Sequence, residues 1–156
     1  MDGWMDFVVS GSVYDGSLLF ENEGLETIDF IEKIVAFKDG YGNMEAGDLN
    51  GDGFADIVLT FNSVLVNSFN QGGTGVFTEN LFVDAYVSNE FHFQDMKLVD
   101  LDGDNDLDIV SANRKKISNY YYTGYITWYE NEDGLGTFGD RIELEVIDSF
   151  PSVNNV

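Results

Sequence analysis

The sequence predicts an all-β chain made of about three repeated units, each with about four short strands. Three observations support this fold class. A loop rich in aspartate, asparagine and glycine occurs twice, at residues 48–56 and 100–108. A β-branched, apolar segment follows each copy, as expected for a strand. No stretch is a confident helix, and the ambiguous residues 28–37 alternate and are β-branched, which favours a strand.

The composition indicates a single acidic globular domain over residues 1–156. The chain is 44% hydrophobic and 15% aromatic, which is enough for one domain with a core. Its formal charge of −22, with 29 acidic and 7 basic residues, argues against nucleic acid or an anionic membrane as a partner. It has no cysteine to form a disulfide and no apolar run long enough for a membrane-spanning helix.

Both loops place oxygen-bearing side chains at positions 1, 3, 5 and 9, a pattern that can wrap a hard cation such as calcium. Position 7 would contribute its backbone carbonyl. Position 6 needs a positive φ, which Gly53 adopts freely and Asn105 tolerates. Position 12 is Leu59 or Ser111 instead of the glutamate of an EF-hand, so we expect loops between strands.

The alternative is an ordinary Asp/Gly-rich turn without a metal, which the repetition of the same spacing disfavours. The two predicted calcium sites use Asp48, Asn50, Asp52, Phe54 and Asp56 in the first loop, and Asp100, Asp102, Asp104, Asp106 and Asp108 in the second.

The repeat unit has about 50 residues. Asp6, Asp56 and Asp108 each begin the same apolar strand, at spacings of 50 and 52 residues. Residues 2–6 match the back half of a loop, which suggests a partial metal site at Asp2 and Asp6. A second element, a strand that runs into an Asn/Gly turn, recurs at 18–24, 66–72 and 128–134. We therefore expect a partial unit at about 1–43 and full units at about 44–95 and 96–150.

Tandem four-stranded units of this length are typical of β-propeller blades. The loop followed by Ile-Val, with Trp128–Asn131 and Gly134–Phe138, resembles the FG-GAP/VCBS repeat family over nearly the whole chain. This resemblance implies a calcium-stabilised β-propeller, usually extracellular (secreted or on the cell surface). Such propellers serve in adhesion, in glycan binding or as appendages to enzymes. The truncated first loop and the count of three units depart from the family pattern.

The favoured function is non-catalytic: an extracellular recognition, adhesion or scaffold module with a glycan or protein ligand. Two alternatives stay open, the propeller portion of a secreted, lyase-like polysaccharide-degrading enzyme and a purely structural repeat of a long surface protein. The single histidine, His92, and the lack of cysteine offer no catalytic dyad and no zinc set. Carboxylate pairs are too abundant here to indicate glycoside hydrolysis.

The third unit has an insertion that could contact a ligand. Asp108 to Tyr129 spans 21 positions, against 13 from Asp56 to Phe69. Aromatic faces with polar tips can stack on sugars or anchor a protein partner. A long hairpin whose tyrosines cover its own unit is the favoured alternative. The candidate ligand surface consists of Arg114, Lys115, Lys116, Tyr120, Tyr121 and Tyr122.

We do not expect the chain to close a ring alone. It begins inside a loop and ends where the next inner strand would start. The favoured explanation is a segment of a longer propeller whose other blades complete the ring. Alternatively, two copies with three units each would form a six-bladed ring, within the usual four to eight.

Overall fold

The structure is a computed structural model that describes residues 6–11, 16–22, 24, 30–36, 42–61, 64–82, 91–118 and 121–151. Within these ranges the chain forms eleven β-strands, one short 3₁₀ turn at Gln71–Gly73 and no α-helix. The all-β prediction is confirmed. None of the described residues belongs to a helix that could span a membrane.

The strands form three antiparallel sheets, and each strand pairs with its neighbours in chain order. The first sheet contains β1 (Phe7–Gly11), β2 (Gly16–Asn22) and β3 (Phe30–Ala36). The middle sheet contains β4 (Met44–Gly47), β5 (Asp56–Phe61), β6 (Val64–Asn70) and β7 (Phe77–Phe82). The third sheet contains β8 (Phe91–Val99), β9 (Asp108–Ser118), β10 (Tyr121–Tyr129) and β11 (Ile142–Pro151).

Each acidic loop connects the first and second strands of a four-stranded sheet. The loop at 48–56 connects β4 to β5, and the loop at 100–108 connects β8 to β9. The unit limit expected at residues 43/44 coincides with the start of β4. The limit expected at 95/96 falls inside β8, because that strand pairs with β9 across the loop. The ambiguous stretch at 28–37 contains β3, a strand as predicted.

The middle sheet is covered on both faces. One face packs on the first sheet in a cluster of Leu19, Val35, Ile57, Leu59 and Val66. The other face packs on the third sheet in a cluster of Leu49, Val58, Leu65, Phe93, Met96, Ile109, Tyr129 and Phe138. Successive side chains of a strand point to opposite faces, so consecutive residues of β5 contact different sheets. Burial of each large apolar side chain contributes about 1.5–3 kcal/mol.

The outer faces of the first and third sheets keep apolar side chains exposed. Phe7 and Val9 are 45% and 40% exposed on the first sheet. On the third sheet, Val99 and Ile142 are 37% and 40% exposed. Val99 follows Leu98, which packs on the middle sheet, and Ile142 pairs with Trp128, the neighbour of the packed Tyr129. Val99 and Ile142 therefore point away from the middle sheet.

Candidate metal centres

The second loop brings three carboxylates together. Asp100, Asp102 and Asp104 each offer an oxygen, and these oxygens lie within 4.8 Å of one another. The backbone folds around Asp100, whose Oδ1 accepts a hydrogen bond from the Gly103 amide at 2.7 Å and whose Oδ2 accepts one from the Asn105 amide at 3.2 Å. Positions 1, 3 and 5 of the predicted site therefore converge.

The first loop also wraps its position-1 carboxylate, with the amide of position 6 as the donor that the two loops share. Asp48 Oδ1 accepts a hydrogen bond from the Asp52 amide at 3.1 Å, and Asp48 Oδ2 accepts one from the Gly53 amide at 2.8 Å. The Asn50 Oδ1 atom also accepts from the Asp52 amide, at 3.0 Å. Gly53 and Asn105 have φ of 87° and 78°, so the positive φ predicted for position 6 is confirmed in both loops.

The aspartates at position 9 are held by buried hydrogen bonds. Asp56 is fully buried; its Oδ2 accepts from the Leu49 amide at 3.0 Å, and its Oδ1 accepts from the Asn70 amide at 2.8 Å. Burial raises the pKa of Asp56, and the two amide hydrogen bonds oppose that rise. Each carboxylate oxygen has two lone pairs, so the group can still accept a cation.

The aspartates that begin the repeated strands of the other two sheets accept hydrogen bonds from backbone amides in the same way. Asp108 Oδ2 accepts from the Leu101 amide at 3.1 Å, and its Oδ1 accepts from the Asn131 amide at 2.9 Å. In the first sheet, Asp6 Oδ1 accepts from the Asn22 amide at 2.8 Å. In each sheet, the asparagine of the recurring strand-turn element thus donates its backbone amide to the aspartate that begins the repeated strand. Sequence reasoning recognised both residues and missed this contact between them.

Asn131 also connects the third sheet to the first loop. Its Nδ2 donates to the Leu49 carbonyl at 2.9 Å and to the Leu107 carbonyl at 3.4 Å. Its Oδ1 accepts from the Gly136 amide at 3.0 Å. The first loop is therefore anchored both by its own sheet, through Asp56, and by the next sheet.

The donor set fits a hard cation. The side-chain donors are carboxylate and amide oxygens, which suit calcium with its six to eight oxygen ligands. Among the described residues, no hydrogen bond ends on the carbonyl oxygen of Phe54 or Asp106, the two predicted backbone ligands. Both carbonyls thus have free lone pairs for a metal ion.

Glu130 adds a further carboxylate to the surroundings of the second loop. Partial removal from water raises its pKa, and the charges of Asp102, Asp108, Glu132 and Asp104 raise it further. The pKa of Asp102 is raised for the same leading reason, together with the charges of Asp104 and Asp108. Glu130 was not a predicted site residue. Its only signal was its place directly before Asn131 in the recurring strand-turn element.

The remaining predicted site residues lie at different places in the structure. Asp2 and Tyr120 lie outside the described residues. Asp6 occupies the position of Asp56 and Asp108 in the first sheet, as its hydrogen bond to the Asn22 amide shows. Arg114 and Tyr122 come together, with the guanidinium carbon 5.0 Å from the ring centroid. Tyr121 is 49% exposed at the end of the same hairpin.

Comparison with known proteins supports the repeat. A family model described as an FG-GAP-like repeat matches residues 1–59, a range that contains the whole first loop. The resemblance found in the sequence is confirmed for this part of the chain. No curated protein and no solved structure matches the chain.

Proposed function

We propose that this chain, which carries an FG-GAP-like repeat over residues 1–59, is a calcium-stabilised segment of a β-propeller-type module that serves in recognition or as a scaffold. The observation that carries the proposal is the convergence of the Asp100, Asp102 and Asp104 carboxylates within 4.8 Å. The first loop also folds around its own aspartate, at the same connection of another sheet, although its carboxylates do not converge as closely. Two loops of one design favour a repeated role over two accidental turns.

Calcium would neutralise the carboxylates and hold each loop in one conformation. Asp48, Asn50, Asp52 and Asp56 would hold one ion, with the Phe54 carbonyl. The corresponding residues of the second loop, Asp100, Asp102, Asp104, Asp108 and the Asp106 carbonyl, would hold the other. An ion that binds the folded state alone stabilises it by about 2.7 kcal/mol per site at a hundredfold excess over Kd.

Thermal melting with and without calcium tests this proposal. We expect millimolar calcium to raise the unfolding midpoint of metal-stripped protein, because extracellular calcium sites have Kd of roughly 10⁻⁴–10⁻³ M. Magnesium at the same concentration is the control and should act more weakly, since it requires a tighter octahedral site. An unchanged midpoint in calcium would contradict the proposal.

We further propose that the module works outside the cell, where millimolar calcium fills such sites, with a glycan or another protein as its ligand. Binding on a glycan array without product release would support recognition. Cleavage of a sugar chain would instead support the enzyme-associated alternative. The absence of both glycan binding and sugar-chain cleavage would favour a purely structural repeat.

A further inference from the structure

The hairpin of β9 and β10 extends beyond the matching hairpin of the middle sheet. β9 and β10 have 11 and 9 residues, whereas β5 and β6 have 6 and 7. We call residues 114–118 and 121–124 the hairpin extension. It contains three of the seven basic residues of the chain. The extension lies at the end of β9 that is remote from the acidic loop, so its positive charge does not neutralise the predicted calcium site.

Several polar side chains of the extension share one face of the third sheet. Arg114 and Lys116 are two residues apart on β9, so they point to the same side. Tyr122 pairs with Lys116, and His92 of β8 pairs with Arg114. Directly paired residues of antiparallel strands also point to the same side. Lys115 lies between the two cations in sequence and points to the opposite face.

The guanidinium group of Arg114 is held in place by Tyr122. Its carbon lies 5.0 Å from the ring centroid, which is a cation–π contact. Gly124 pairs with Arg114 and has no side chain to interfere. Among the described residues, Arg114 and Lys116 form no ion pair with a carboxylate. The buried Arg114 Nε also lacks a hydrogen-bond partner there.

A guanidinium that stacks on a ring and has no carboxylate partner among the described side chains can donate two parallel hydrogen bonds to an oxyanion. We propose that this face binds a compact ligand through a carboxylate or sulfate group, with Arg114 as the bidentate donor and Lys116 as the second positive charge. The proposal rests on the recognition function proposed above and names its ligand class. The net charge of −22 repels long polyanions, so a single acidic group, such as that of an acidic sugar, fits best.

Isothermal titration of the full, calcium-loaded chain with glucuronate, sulfate and glucose tests the proposal. We expect glucuronate or sulfate to bind and glucose not to bind. Binding of glucuronate alone would identify a carboxylated sugar as the source of the oxyanion, and binding of sulfate alone would identify a sulfate group. Arg114→Gln should weaken binding by about ten- to a hundredfold, the value of one charge-assisted hydrogen bond or more. Arg114→Lys should weaken it less, since an ammonium keeps the charge and loses the bidentate geometry.

Lys115→Gln is the matched control, because it removes the same charge one residue away on the opposite face. Equal weakening by Lys115→Gln and Arg114→Gln would show general attraction of anions and overturn the proposal. The absence of binding by either anion at about 10 mM would overturn it as well. Calcium-dependent melting of every variant separates the two proposals: oxyanion binding without any calcium response would contradict the calcium proposal and leave this one standing.

Discussion

At the scale of single residues, Asn131 makes the contacts that join the third sheet to the first loop. It is fully buried, and its side-chain amide donates to the Leu49 carbonyl and accepts from the Gly136 amide. Asn131→Ala leaves both backbone groups without a partner, so we expect it to lower the free energy of unfolding by about 2–4 kcal/mol. Urea denaturation in calcium measures this loss.

Asn70→Ala is the natural control for that substitution. Asn70 occupies the same position in the middle sheet, but its contacts with Ala55 and Gly75 are exposed or only partly buried. Water can replace the lost partners there, so the cost should be smaller. An equal loss of stability in the two variants would show that the bond between the sheets contributes little.

The sequence could predict local backbone geometry better than contacts between distant residues. The positive φ of Asn105 follows from its place in the loop, because only a few residue types tolerate that conformation. Glu130 was missed because it reaches the second loop through the register of β9 and β10, which pairs Tyr129 with Ile109. No local pattern in the sequence specifies that register.

At the scale of elements, each acidic loop should bind its own ion. The hydrogen bonds that shape the second loop run among residues of that loop and to Asn131. We therefore expect Asp104→Ala to abolish calcium binding at the second loop and Asp52→Ala to abolish it at the first. Calorimetry should count one remaining site in each variant.

The matched control for the loop variants is Asp140→Ala, which removes an exposed carboxylate outside both loops. It should keep both sites. Loss of both sites from a single loop substitution would mean that the loops share one ion.

Strand identity was predictable where β-branched residues alternate, as in β3 and β11. The lengthening of the third hairpin was also visible, from the spacing between Asp108 and Tyr129. The assignment of β8 to the third sheet was not predictable, because the repeat in the sequence marks the loop and not the strand that precedes it. Pairing of the strand before a loop with the strand after it becomes evident only from hydrogen bonds.

At the scale of the whole molecule, the clustered carboxylates should make the pH response depend on calcium. The pKa values of Asp102 and Asp106 are raised, first by partial removal from water and then by neighbouring aspartates. The folded protein therefore holds these protons more tightly than the unfolded chain. This contribution to stability is complete below the ordinary value of 3.8 and is lost as the pH rises through the raised pKa values.

The stability of metal-free protein should accordingly fall as the pH rises from about 4 towards neutral. Calcium-loaded protein should show the opposite trend, because protons compete with the ion for the same carboxylates. Melting curves of both forms across this range measure the two trends. A shift in the same direction for both forms would contradict the assignment of these aspartates to a metal site.

The ends of the three-sheet stack should attract a further sheet. Leu49 is 1% exposed because the third sheet covers it, whereas Leu101, at the same loop position, is 44% exposed. Phe7 and Val9 form an exposed apolar face at the other end. We expect either a further unit of a longer protein or a second copy of the chain to cover these faces. A covering sheet with strands as short as β5 and β6 would leave the longer hairpin extension, with Arg114, uncovered. With two copies, six sheets would meet, within the usual range for a ring.

Light scattering in millimolar calcium distinguishes these outcomes. A mass near twice 17.4 kDa supports pairing of two copies, and a folded monomer at all concentrations contradicts it. Leu101→Glu should disrupt such a pair by placing a charge on the apolar face. Leu135→Glu is the control, because Leu135 is 64% exposed in a turn and should tolerate the change.

Strand β5 has a consequence for how mutations divide the molecule. Ile57 and Leu59 contact the first sheet, whereas Val58 contacts the third. Neighbouring codons therefore affect different halves of the protein. A systematic scan of substitutions along β5 would produce two interleaved classes of defect, one that loosens the amino-terminal half and one that loosens the carboxyl-terminal half, and the two classes would alternate with every residue.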